Sequence, residues 1–121
     1  MKISARNQFE GTISSVVEGS VNGVVAIDFE GYAIKADITM ESIKGLELAE
    51  GKKAFAIIKA SNVMFAAGSE PIKNGHVALE LADGNKVIGS ITNEAIESLG
   101  LAEGEKAVAI IKSTDVMVGV E

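Results

Sequence analysis

The chain has 121 residues, enough for one domain or two very small ones sharing a core, and a net charge of −6 that disfavours general nucleic-acid binding. Its apolar residues are mostly Val, Ile, Ala and Leu, and no apolar run approaches the ~20 residues that span a bilayer. With no cysteine there is neither a disulfide nor a thiolate metal site. The opening Met1-Lys2-Ile3-Ser4 also lacks the apolar stretch of a secretory signal, so a cytoplasmic protein with no membrane partner is expected.

Taken in order, the chain opens on a polar cluster, Ser4-Ala5-Arg6-Asn7-Gln8, before Phe9, Glu10 and Gly11. Arg6 is the only arginine, and its rigid, permanently charged fork of donors suits an oxyanion; the plainer role is an ion pair on an edge strand. Residues 12–17 are strand formers. Residues 24–29 read as a strand, Glu30-Gly31 as a turn, and residues 33–38 alternate apolar and polar side chains as a half-buried strand does. Thr39 then reads as a helix N-cap, with Glu41 in the first turn and Ile43, Leu46 and Leu48 as an apolar side. Gly45 and Gly51 keep that helix short. Residues 54–59 return to strand, and residues 61–65 are expected to continue it.

Displaced by 53 residues, the chain matches itself. Ala54-Phe55-Ala56-Ile57-Ile58-Lys59 falls on Ala107-Val108-Ala109-Ile110-Ile111-Lys112, and Leu48-Ala49-Glu50-Gly51 on Leu101-Ala102-Glu103-Gly104. Thr39 falls on Thr92 and Val63-Met64 on Val116-Met117, with no gap needed from about residue 24 to 65. This is an internal duplication. Residues 4–14 have no second copy, so the chain comprises a complete repeat, 1–67, and a partial one, 68–121, that lacks its first strand. Short strands with one small helix per repeat, and small and large residues alternating in 54–58, predict an all-β fold: a small OB-like β-barrel in tandem. A barrel short of one strand has an open edge. Residues 65–72, or the strand 4–17 of a neighbouring chain, are expected to close it, the second making an obligate oligomer.

His76, the only histidine, follows Asn74-Gly75 and reads as a turn residue. Met64 and Met117 recur at equivalent strand positions and read as packing. With no nucleophile motif, no paired histidines and no evident carboxylate couple, catalysis is not expected and no metal is expected to be directly liganded.

Ser4-Ala5-Arg6-Asn7-Gln8 with Gly11-Thr12-Ile13 and Gly19-Ser20-Val21-Asn22 resembles the opening signature of the molbindin family. Ile38-Thr39-Met40-Glu41-Ser42 and Ile58-Lys59-Ala60-Ser61-Asn62-Val63 are similar to that family's other two motifs. The resemblance implies OB-type barrels that assemble into a homo-oligomer, a trimer or hexamer, holding molybdate or tungstate between subunits. Carried over by motif, the oxyanion-binding residues are Ser4, Ala5, Arg6, Thr39, Ser42, Lys59, Ala60 and Ser61. A further site in the second repeat would use Thr92, Lys112, Ser113 and Thr114, and an axial site would fall at Val21 and Asn22. The chemistry of the residues agrees, because a tetrahedral dianion without a proton needs a shell of donors only. Two functions are expected from this: binding and storage of the oxyanion in the cytoplasm, or a structural module that keeps the barrel for subunit contacts and has lost most binding.

Overall fold

The computed structural model describes residues 3–5, 7–67, 75–80, 86–100, 102–103 and 107–121; Arg6 lies outside them. The first repeat contains β1 (Asn7–Val17), β2 (Asn22–Phe29), β3 (Tyr32–Thr39), α1 (Met40–Gly45), β4 (Lys53–Ile58) and β5 (Val63–Ala67). The second contains β6 (Gly75–Glu80), β7 (Lys86–Ile91), α2 (Asn93–Ser98), β8 (Ala107–Ile111) and β9 (Met117–Gly119). Short 3-10 turns, Ala60–Asn62 and Ser113–Asp115, precede β5 and β9.

Contacts divide the chain into two compact units that do not follow the repeats 1–67 and 68–121. One holds Met1–Ile58 with Lys112–Glu121, and the other holds Lys59–Ile111. In the first unit the strands form an antiparallel sheet in the order β3-β2-β1-β4-β9, and β9 returns towards β3, giving a curled OB-type sheet. The long strand β1 serves both halves. It pairs with β4 from Asn7↔Ile58 to Thr12↔Lys53, and with β2 from Thr12↔Asp28 onwards. A bulge between Ile13 and Ser15 bends it at the changeover. Gly11 sits where a side chain would run into the carbonyl of Asp28, so only glycine lets the strands approach there. Phe9, Ile13, Val25, Ile27, Phe29, Ala54, Ala56 and Ile58 fill the interior, with the Phe9 and Phe29 rings 4.9 Å apart. Met40 and Ile43 seat α1 over Gly23, where a Cβ would lie 2.7 Å from Ile43 Cδ1 and 2.9 Å from Met40 Sδ. Leu48 is buried as expected, but Leu46 faces solvent, because α1 ends at Gly45 and the chain turns away through Glu47 at positive φ.

The second unit contains the β6–β7 hairpin, the β5–β8 ladder and α2. Residues 61–65 therefore do not continue β4. The chain turns at Ala60–Asn62, and β5 pairs with β8 of the other repeat. Met64↔Ile110 in that ladder is the same register as Met117↔Ile57 between β9 and β4, displaced by 53 residues. The last strand of each repeat thus completes the body of the other. Residue 65 begins the stretch expected to fill the missing first strand; in β5 it takes the last-strand place instead, and residues 68–72 lie outside the described residues. The hairpin also corrects the gapless alignment. Val77 pairs with Gly89 as Val25 pairs with Ala36, which displaces β6 by 52 rather than 53 residues and leaves one more residue between the paired positions. The slip places Val77 and Leu79, rather than Ala78 and Glu80, at the positions of the buried Val25 and Ile27. His76 belongs to β6, opposite Ser90, and not to a turn. Met64 and Met117 are exposed, against their expected role in packing.

A size exchange distinguishes the two last strands. The Phe65 ring lies so close to Gly89 that a Cβ there would overlap it, whereas the equivalent positions in the first unit hold Ala36 and Val118. Phe65 needs the glycine and Val118 does not. Gly89→Ala is expected to destabilise the second unit by about 1–3 kcal/mol through overpacking. Urea unfolding should show this loss and its recovery on adding Phe65→Val.

Candidate functional site

Thr39 ends β3 and caps α1: Ser42 N–H donates to Thr39 Oγ1 at 3.1 Å, and the Thr39 hydroxyl donates to Ser42 Oγ at 2.9 Å. Two exposed hydroxyls are thereby held side by side. The Val21 carbonyl accepts from Met40 N–H at 2.8 Å, and Asn22 pairs with Thr39 across the ladder. Val21, Asn22, Thr39 and Ser42 therefore gather at one end of the first unit. The Asn22 amide donates to Asp37 Oδ1 at 3.1 Å, so that amide is directed to a carboxylate.

Ser4 and Ala5 precede β1, whose first residue, Asn7, pairs with Ile58 at the end of β4. Asn7 is buried and its Nδ2 donates to the Ile58 carbonyl at 3.2 Å, fixing where the opening segment leaves the sheet. Gln8 Nε2 donates to the carbonyls of Ile3 at 3.1 Å and Ala5 at 3.0 Å. Gln8 thus engages two acceptors that would repel an anion, a positioning role that residue identity alone did not reveal. Lys112, Ser113 and Thr114 lead into β9, whose Met117 and the Gln8 of β1 flank Ile57 from its two sides. The turn Ser113–Asp115 packs against β3. The Lys112 and Thr114 side chains are exposed.

Lys59, Ala60 and Ser61 open the second unit, where their turn packs against β7. Thr92 caps α2 there, accepting from Ala95 N–H at 3.0 Å. Ala95 stands where Ser42 stands in the first repeat, so this pair of elements has one hydroxyl fewer. The structure accordingly sorts the motif residues crosswise. The first repeat's Ser4, Ala5, Thr39 and Ser42 share a unit with the second repeat's Lys112, Ser113 and Thr114, and Lys59, Ala60 and Ser61 share one with Thr92. Asp115 was not singled out in the sequence. It follows this lysine and its two hydroxyls where the first repeat has Asn62, and so puts a carboxylate in a donor-rich turn.

With this arrangement in view, the relatives are informative. The TOBE domain model matches residues 3–65 and 74–118; its second match begins near the equivalent of the start of β2. The chain is 35% identical over 139 positions to the molybdenum transport protein ModE of Azotobacter vinelandii, covering 99% of this chain and 52% of that protein. It is 32% identical over 137 positions to the molybdenum-pterin-binding protein MopA of Rhodobacter capsulatus, covering 97% of this chain and 52% of that one. The chain spans about half the length of these relatives, and both alignments run longer than its 121 residues, so they carry positions that it lacks. Among solved structures it superposes on the cytoplasmic molybdate-binding protein ModG, with molybdate bound, at a TM-score of 0.91 and 36% identity, covering 100% of both chains. MopII of Clostridium pasteurianum aligns with 52% of this chain and 96% of its own at a TM-score of 0.51 and 33% identity. The chain belongs to the TOBE domain family, within it to the molbindins with tandem repeats. Its relatives are named for binding and transport, and none of the described helices is long and apolar enough to cross a membrane.

Proposed function

We propose that this protein binds molybdate or tungstate as the tetrahedral dianion and stores or buffers it in the cytoplasm, at sites completed between the subunits of a homo-oligomer, a trimer or hexamer. The observation that carries this reading is the sorting of the donors. Thr39 and Ser42 share the first unit with Lys112, Ser113 and Thr114, whose turn packs against β3, the strand that Thr39 ends. The Ser4-Ala5-Arg6 segment of a second copy would complete this exposed set around the ion. Ser4, Ala5 and Arg6 would contribute a hydroxyl, a backbone N–H and the guanidinium, the lysine a second cation, and Thr39 and Ser42 the remaining hydroxyls. Thr92 with Lys59, Ala60 and Ser61 makes the poorer set, because Ala95 replaces the serine and no second Ser-Ala-Arg-Asn segment exists. Val21 and Asn22 are the weakest assignment, since the Asn22 amide faces Asp37.

Calorimetric titration tests the reading: saturable binding of molybdate or tungstate at micromolar protein is expected, and binding of neither contradicts it. Sulfate has shorter bonds to oxygen and should compete poorly. Asp115→Asn removes a negative charge next to Lys112, Ser113 and Thr114. It is expected to tighten molybdate binding roughly threefold or more, as for one like charge several ångströms from a dianion. Unchanged affinity in that variant would place the ion away from Lys112, Ser113 and Thr114.

A further inference from the structure

The duplication supplies a comparison within one chain. The turns Ala60–Asn62 and Ser113–Asp115 follow the same backbone path. Lys59 and Lys112 enter them at φ −68°, ψ 138° and φ −70°, ψ 135°, and Val63 and Val116 leave them at φ −92°, ψ 125° and φ −91°, ψ 122°. Each is closed by a hydrogen bond of 2.9 Å, from Asn62 N–H to the Lys59 carbonyl and from Asp115 N–H to the Lys112 carbonyl. Both lysines are exposed. The turns therefore differ in side chains and not in path: Ser113 stands for Ala60, Thr114 for Ser61 and Asp115 for Asn62. Asp115 is half-buried, and its carboxylate has no hydrogen bond or ion pair with another described residue. With three residues per revolution, positions 112 and 115 fall on the same side of the turn, so the carboxylate shares the lysine's side.

Resting on the oxyanion-binding reading above, we propose that Asp115 sets the selectivity of the Lys112 turn: it disfavours a fully deprotonated dianion and admits a tetrahedral oxyanion that carries a proton. A carboxylate is an acceptor only. Beside molybdate or sulfate, which have no proton near neutral pH, it makes no hydrogen bond and adds a like charge. Beside phosphate, which keeps at least one proton there, it accepts the P–O–H hydrogen in a charge-assisted bond, one of the stronger kinds. Ser113 and Thr114 suit either ion, since a hydroxyl rotates to donate or to accept. Asn62 draws no such distinction, because its amide offers both a donor and an acceptor. The two turns of one chain thus differ in the proton content of the anion they hold. Sulfate and phosphate are nearly equal in size, both smaller than molybdate, so comparing them separates the proton from the fit of the cage.

Calorimetric titration of the full chain near neutral pH, with phosphate, sulfate and molybdate in separate runs, tests it. The unaltered protein should bind phosphate about tenfold more tightly than sulfate. In Asp115→Asn phosphate should weaken about tenfold while molybdate tightens, so the two ions respond with opposite sign. Asn62→Asp makes the reciprocal change and should favour phosphate over sulfate at the other turn; it decides should Asp115→Asn fail to fold. If phosphate and molybdate both tighten in Asp115→Asn, the carboxylate acts only as a charge and the proposal is overturned. Equal binding of phosphate and sulfate by the unaltered chain overturns it too. Absence of molybdate binding by the unaltered chain is a separate result, visible in the molybdate run alone, and it removes the storage reading together with this one.

Discussion

Arg6→Ala is expected to lower molybdate affinity by between about tenfold and a hundredfold, the worth of one charge-assisted contact of roughly 1.5–3 kcal/mol. Arg6 is the only guanidinium in the chain, and the Ser4–Ala5 segment beside it is positioned by Gln8 and Asn7. A dianion has no proton to share, so a lost cation is not replaced by the neighbouring hydroxyls. Thermal unfolding without ligand should be unaffected, because the strand that carries the segment is held by Phe9 and Asn7. Titration calorimetry beside a melting curve reads both quantities, and equal affinity in the variant would reduce Arg6 to a surface charge.

Phe9→Ala should have the largest effect on stability, about 3–5 kcal/mol, as for loss of a buried aromatic ring. Phe9 is 6% exposed, stacks at a tilt on Phe29, and lies in the stretch of β1 that pairs with β4. Emptying that position leaves a cavity between the two halves of the first unit's sheet. Urea unfolding followed by circular dichroism measures the loss, and a change below about 1 kcal/mol would show that the sheet does not depend on this strand. The same position explains why deleting residues 1–11 is a poor probe of binding. It would remove Phe9 and Asn7 along with Arg6, and so break the sheet and the site at once.

Local chemistry made much of this legible. The caps at Thr39 and Thr92 followed from a hydroxyl ahead of a short apolar-periodic stretch, and both accept the hydrogen bonds expected of them. The strands of the first repeat followed from alternation, and the repeat itself from self-similarity. What escaped was non-local. Nothing in the sequence around Lys59 says that the chain leaves one unit there, because β5 is set by its fit to β8 and Gly89 rather than by its own residues. Exchange of the last strands also exposes Met64 and Met117, which their apolar character had assigned to packing. The one-residue displacement of β6 was obscured because conserving Asp83-Gly84 against Glu30-Gly31 favours the gapless match, while the strand faces require the slip. Among the site residues, type and motif singled out the donors, but only the strand exchange reveals that Thr39 and Ser42 share a unit with Lys112, Ser113 and Thr114 rather than with Lys59, Ala60 and Ser61.

Because the Ser4-Ala5-Arg6 segment and the Thr39–Ser42 pair are assigned to different copies at one site, a mixing experiment is the most direct test. Arg6→Ala disables the first set of donors, and Ser42→Asp, at an exposed position, sets a carboxylate against the dianion in the second. Neither variant alone should bind molybdate with the parental affinity. If sites form between copies, oligomers assembled from equal amounts of the two should recover roughly a quarter of the sites with parental affinity, each joining the intact set from either variant. If the mixture binds no more molybdate than the separate variants, the oxyanion is held within one chain and the account is contradicted.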